Sequence, residues 1–152
     1  MTQRPDGTMM LGGGLLNAED DGLADIGVPH DDSMSIFTAS HIRGLLPNVF
    51  ERNWGQPRHT DVQVWTGIMG WSADMLPWVG EVSEEATGRK HDGAREWVSA
   101  GYSGEGMVNA WGCGSGLAKM LIGEENGIPL PMKFSPKRLQ NARVEDYIED
   151  YF

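Results

Sequence analysis

The sequence predicts a mixed α/β (α+β) protein, and three stretches carry that prediction. Residues 60–71 read T-D-V-Q-V-W-T-G-I-M-G-W. Val62, Val64 and Thr66 alternate there with Gln63, Trp65 and Gly67, the period of a half-buried strand over 60–68. Trp97 to Ala100 is a short apolar run that reads as a buried strand over 96–100. It leads through the glycine-rich turn Gly101-Tyr102-Ser103-Gly104-Glu105-Gly106 into a helix from Met107 to Ile122. Strand, glycine-rich loop and helix N-terminus bring bare N–H groups and the positive end of a helix dipole to one place.

The other elements follow from local chemistry. Pro5-Asp6-Gly7 is a turn: Pro presets φ, Asp accepts locally and Gly takes the left-handed position. A short strand is expected at 8–11, stopped by Gly12-Gly13-Gly14. The turn has so few residues before it that the hairpin's first strand is expected to be missing. Residues 15–34 are acidic and polar and read as a surface loop; they lack the ligand ladder of a calcium loop. A helix is expected over 36–53. Thr38 or Ser40 would cap it, Ile42, Leu45, Leu46, Val49 and Phe50 would form its apolar face, and Pro47 would kink it. Trp65, Trp71 and Trp78 lie close in sequence; core packing is favoured over an aromatic wall for a planar ligand. Residues 72–80 turn around Asp74 and Pro77 into a short apolar step, and 81–95 form a polar hairpin loop.

The late helix carries two stripes. Cys113, Leu117 and Leu121 read as core. Ala110, Gly114 and Ala118 would let the helix lie against a neighbouring backbone, and Gly112, Gly114 and Gly116 need close approach to offset about 1 kcal/mol each in lost helix propensity. Gly123 is the natural C-cap. Residues 129–139 are punctuated by proline and read as extended, and the acidic tail as a short or frayed helix.

Composition bounds the function. The chain of 152 residues has the length of about one domain. Its 21 glycines are about twice the usual share. A net charge of −10 argues against nucleic acid and anionic membranes as partners. A single cysteine, Cys113, and no apolar leader point to a reducing, cytoplasmic location. Several chemistries fail on spacing. Gly101-Tyr102-Ser103-Gly104-Glu105 and Cys113-Gly114-Ser115-Gly116 each miss one position of the Gly-x-Ser-x-Gly elbow. There is no phosphate-binding Gly-Lys-Ser/Thr, and the 101–106 turn reverses the spacing of the Gly-x-Gly-x-x-Gly fingerprint. His30, His41, His59 and His91 lack metal-ligand spacing, so no metal is expected. Cys113 reads as a buried structural thiol.

In order, the chain contains R-P-D-G-T-M-M-L-G-G-G, L-P-N-V-F, W-T-G-I-M-G-W-S-A-D-M-L-P-W-V-G, V-S-A-G-Y-S-G-E-G-M, a helix and P-K-R-L. This order resembles the C-terminal part of the FAD-dependent oxidoreductases of the D-amino-acid oxidase, glycine oxidase and sarcosine oxidase family, fungal-type members included. The resemblance covers about residues 3–139, and its most specific feature is the pairing of D-x-x-P-x-x-G with G-x-S-G-x-G-M.

The resemblance implies an FAD site. Ser103, Gly104, Glu105, Gly106, Met107 and Val108 would approach the pyrimidine side of the flavin, and Met69, Gly70 and Trp71 would lie on the substrate side. A small amine or amino-acid-like substrate would be oxidised by hydride transfer to flavin. The resemblance supplies no catalytic residue.

Three departures qualify it. The family's Gly-x-Gly-x-x-Gly segment, which holds the ADP half of FAD, is not in this chain, so a missing N-terminal half is an expected partner. Without it, the chain alone is expected to be inactive and to bind FAD poorly. Met69-Gly70 stands where amino-acid-oxidising members have Arg-Pro, which removes bidentate recognition of a substrate carboxylate. No cysteine precedes the D-x-x-P turn, so FAD would be non-covalent. The alternative is a non-catalytic, stand-alone or complementing module without flavin.

The expected organisation is a partial substrate-type sheet with one helix at 3–80, a polar loop at 81–95, the last strand, loop and helix of an FAD-binding domain at 96–139, and an acidic tail at 140–152. Partial domains of this kind would leave edges and apolar faces uncovered, which predicts marginal folding alone.

Overall fold

The computed structural model describes residues 1–14, 19–50 and 62–143, with the backbone alone at 19–21. The described residues form a mixed α/β structure with four α-helices and two small antiparallel sheets. The chain divides into two compact units, Met1–Ile68 and Met69–Phe152.

In the first unit, β1 (Thr2–Gln3) pairs antiparallel with β2 (Met9–Met10). The Gly7 N–H donates to the Arg4 carbonyl at 2.9 Å, Asp6 Oδ1 accepts from the Thr8 N–H at 2.9 Å, and Gly7 sits at φ 87°. This is a three-residue hairpin loop with glycine in the left-handed position. The first strand thought to be missing is therefore present: Thr2 and Gln3 suffice. The strand expected at 8–11 shrinks to two residues.

Part of the acidic loop, Glu19–Asp25, winds into a 3₁₀ helix. Helix α1 spans Ile36–Val49, and its N-cap is Ser35, not Thr38 or Ser40. The Ser35 hydroxyl accepts from the Thr38 N–H at 3.4 Å. Pro47 falls in the last turn of one continuous helix, which ends two residues later, so it terminates α1 instead of dividing it. Ile42, Leu45 and Leu46 are half-buried, whereas Val49 and Phe50 are exposed. Gly14, at φ 92°, passes so close to α1 that a Cβ would lie 2.8 Å from Thr38 Cγ2.

The strand expected over 60–68 does not form among its described residues. Residues 60 and 61 lie outside the described residues, and 62–77 contain no strand. Alternation specifies a strand only where a partner supplies the ladder, and no described segment pairs with 62–68. The substrate-type sheet expected from 8–11 and 60–68 is thus absent from the described residues. None of the three tryptophans is fully buried: Trp65 is 67% exposed, Trp71 is exposed, and Trp78 is half-buried.

The second unit is built on a hairpin. β3 (Trp78–Val82) pairs antiparallel with β4 (Glu96–Ala100), from Trp78 opposite Ala100 to Val82 opposite Glu96. The connection contains the single-turn helix α2 (Glu84–Thr87), capped by Ser83 and closed by Gly88 at φ 67°. On its other edge β3 takes up the late chain: Val79 bridges Lys133 in parallel, and the Phe134 N–H donates to the Val79 carbonyl at 2.8 Å.

Helix α3 spans Gly106–Leu121, within one residue of expectation at each end. It closes as the glycine predicts. The Gly123 N–H, at φ 74°, donates to Met120 and the Glu124 N–H to Lys119, the paired bonds of a Schellman motif. The core of this unit is Val79, Cys113 and Ile128, with Tyr102, Leu117, Met120 and Met132 packed on it.

The α3 stripes differ from expectation. Leu121 is 55% exposed and Met120 takes its place against the core. Ala110, Gly114 and Ala118 are exposed, so that stripe packs on nothing among the described residues. Among the described residues, close approach occurs at Gly116, where a Cβ would run into the Ile128 side chain, and not at Gly112 or Gly114. The segment expected to be extended at 129–139 instead makes a 3₁₀ turn at Leu130–Met132 and a short helix α4 (Pro136–Asn141). Pro136 is compatible with the first turn of α4, and the Ser135 hydroxyl caps it by accepting from the Arg138 N–H at 3.2 Å. The tail beyond Arg143 lies outside the described residues.

Candidate functional site

The glycine-rich turn between β4 and α3 is held from below by the segment 70–72. The chain must reverse sharply after Ala100 while staying close to that segment. Gly101, at φ 70°, meets the need: a Cβ there would lie 2.8 Å from Ser72 Oγ and 3.2 Å from Trp78 Cδ1. Ser103 takes φ 50°, an unfavourable conformation for a residue with a Cβ.

Hydrogen bonds hold Ser103 there. Its N–H donates to the Gly70 carbonyl at 3.0 Å, and its Oγ accepts from the Ser72 N–H at 3.0 Å. The Ser72 hydroxyl donates to the Gly101 carbonyl at 3.2 Å. Both serines are 4% exposed. The Tyr102 hydroxyl shares a hydrogen bond with Ser99 Oγ at 2.7 Å, which ties the turn to β4.

Above this bolt the backbone opens. Glu105 occupies the N-cap of α3 without a side-chain capping bond. Its own N–H donates to the Tyr102 carbonyl at 2.8 Å, and its carbonyl accepts from Val108 and Asn109. The N–H groups of Gly104, Gly106 and Met107 donate to no group among the described residues. Three donors at the positive end of a 16-residue helix suit an electron-rich ligand atom.

The predicted site residues divide accordingly. Ser103 is a buried internal fastener. Gly104 and Glu105 are exposed, Met107 is 100% exposed and Val108 75%, with Gly106 between them at the helix start. The structure brings Gly70 and Trp71 to this turn: Gly70 through its carbonyl, and Trp71 with its ring 3.8 Å from where a Gly104 Cβ would stand. Met69 precedes them, 54% exposed.

A second fastener escaped the sequence reading. Arg138 of α4 lies with its guanidinium carbon 3.8 Å from the centre of the Trp78 ring and donates to both carboxylate oxygens of Asp74. The same guanidinium donates to the carbonyls of Leu76, Pro77 and Met132. The hydrogen bonds from Arg138 hold the Asp74 carboxyl below its usual range. The signal was in the sequence as two separate motifs, D-x-x-P and P-K-R-L, 64 residues apart.

Elsewhere in the unit, burial pushes the Cys113 thiol pKa up, which suits a packing role and not a nucleophile. An open groove of about 430 Å³ lies near the C-terminal end of α3, lined by Gly80, Trp97, Met120, Lys133 and Phe134 among others. Among the described residues no group of three His, Cys, Asp or Glu side chains could hold a metal ion, and no helix is long and apolar enough to cross a membrane. Compared with family models, curated proteins and solved structures, the chain has no match.

Proposed function

We propose that the chain is the C-terminal portion of an FAD-dependent oxidoreductase acting on an amine or amino-acid-like substrate, and that it is inactive by itself. One observation carries the reading: segment 70–72 is bolted to a glycine-rich turn, beyond which the N–H groups of Gly104, Gly106 and Met107, at the start of α3, donate to no group among the described residues. Those donors fit the electron-rich edge of an isoalloxazine ring. Non-covalent FAD, when bound, supplies the hydride-accepting chemistry.

In this reading Gly104, Gly106 and Met107 donate N–H groups to the flavin edge, and the α3 dipole favours negative charge there. Ser103 fixes the turn without touching the cofactor. Met69, Gly70 and Trp71 border the substrate. Because Met69-Gly70 offers no guanidinium, the substrate is an amine in preference to one held by a carboxylate.

In this reading the ADP half of FAD is held by a dinucleotide-binding segment that these 152 residues do not include. The exposed apolar face at α3 is compatible with such a partner: Met107, Val108, Trp111 and Ile122 are each at least 70% exposed. The same face is compatible with the second reading, a complementing module without flavin.

The test is to mix the chain with a separately made dinucleotide-binding half from the oxidase family, add FAD, and follow flavin absorbance on addition of primary and secondary amines. Amine-dependent bleaching that needs both halves is expected. A mixture that retains FAD but is bleached by no amine would contradict the assigned reaction.

A further inference from the structure

We draw no further inference here: the strongest candidate, the exposed apolar face of α3 formed by Met107, Val108, Trp111, Leu121 and Ile122, carries nothing beyond the proposed function because nothing in the structure shows what covers it.

Discussion

Arg138 and Asp74 are clasped through two hydrogen bonds of 2.7 Å across 64 residues of sequence. The Arg138 side chain is 11% exposed, and it also holds three backbone carbonyls. Truncating it strips donors from all of them. Arg138→Ala is expected to destabilise the second unit by about 2–4 kcal/mol. Asp74 is 41% exposed, so Asp74→Asn should cost less, about 1 kcal/mol. Urea unfolding of both variants checks the order, and equal costs would contradict it.

The clasp also predicts a pH dependence. The Asp74 pKa is lowered chiefly by its hydrogen bonds from Arg138. Its contribution to stability is therefore fully present above the unfolded carboxylate value, near ~4, and is lost as pH falls through the depressed folded value. Stability of the wild-type chain should decline in that acid window, and Asp74→Asn should show a shallower decline. Identical slopes in urea series at several pH values would count against the clasp.

The α3 glycines separate packing from propensity. At Gly116 a Cβ would clash with the Ile128 side chain and press on the Asn126 carbonyl at 3.0 Å. Gly116→Ala is expected to destabilise by about 1–3 kcal/mol. At Gly112 and Gly114 a Cβ would meet nothing within 4 Å among the described residues. Gly112→Ala and Gly114→Ala should each stabilise by up to about 1 kcal/mol. Opposite signs in thermal unfolding are the expected outcome.

Ser103 offers a test of the bolt. Ser103→Ala removes the acceptor of the buried Ser72 N–H and keeps a Cβ at φ 50°. A loss of about 1–3 kcal/mol is expected. Ser103→Gly loses the same acceptor but relieves the backbone by about 1 kcal/mol, so it should be the milder change. If Ser103→Gly proves the more damaging, the backbone at this position is not strained.

What could be read from the sequence follows from locality. Pro5-Asp6-Gly7, the α3 boundaries and the Gly123 cap depend on residues within a few positions, and each appears in the structure near where local chemistry puts it. The strand at 60–68 depends on a distant partner, and alternation alone did not secure it. On α3, Cys113 and Leu117 join the core as their spacing predicts, but Leu121 and the stripe Ala110, Gly114 and Ala118 do not, because which residues pack depends on where Ile128 and Met132 return. At the candidate site, the donors at Gly104, Gly106 and Met107 were legible as a glycine-rich turn before a helix. The internal use of Ser103 was not, because Ser72 meets it from 31 residues away.

The proposed function makes this turn one half of a flavin site. Its most direct test is an FAD titration followed by flavin fluorescence, run on the chain alone and on an equimolar mixture with the dinucleotide-binding half. Saturable quenching in the mixture, beyond that of either half alone, is the expected outcome. Stoichiometric FAD binding by this chain alone, or no added quenching in the mixture, would contradict it.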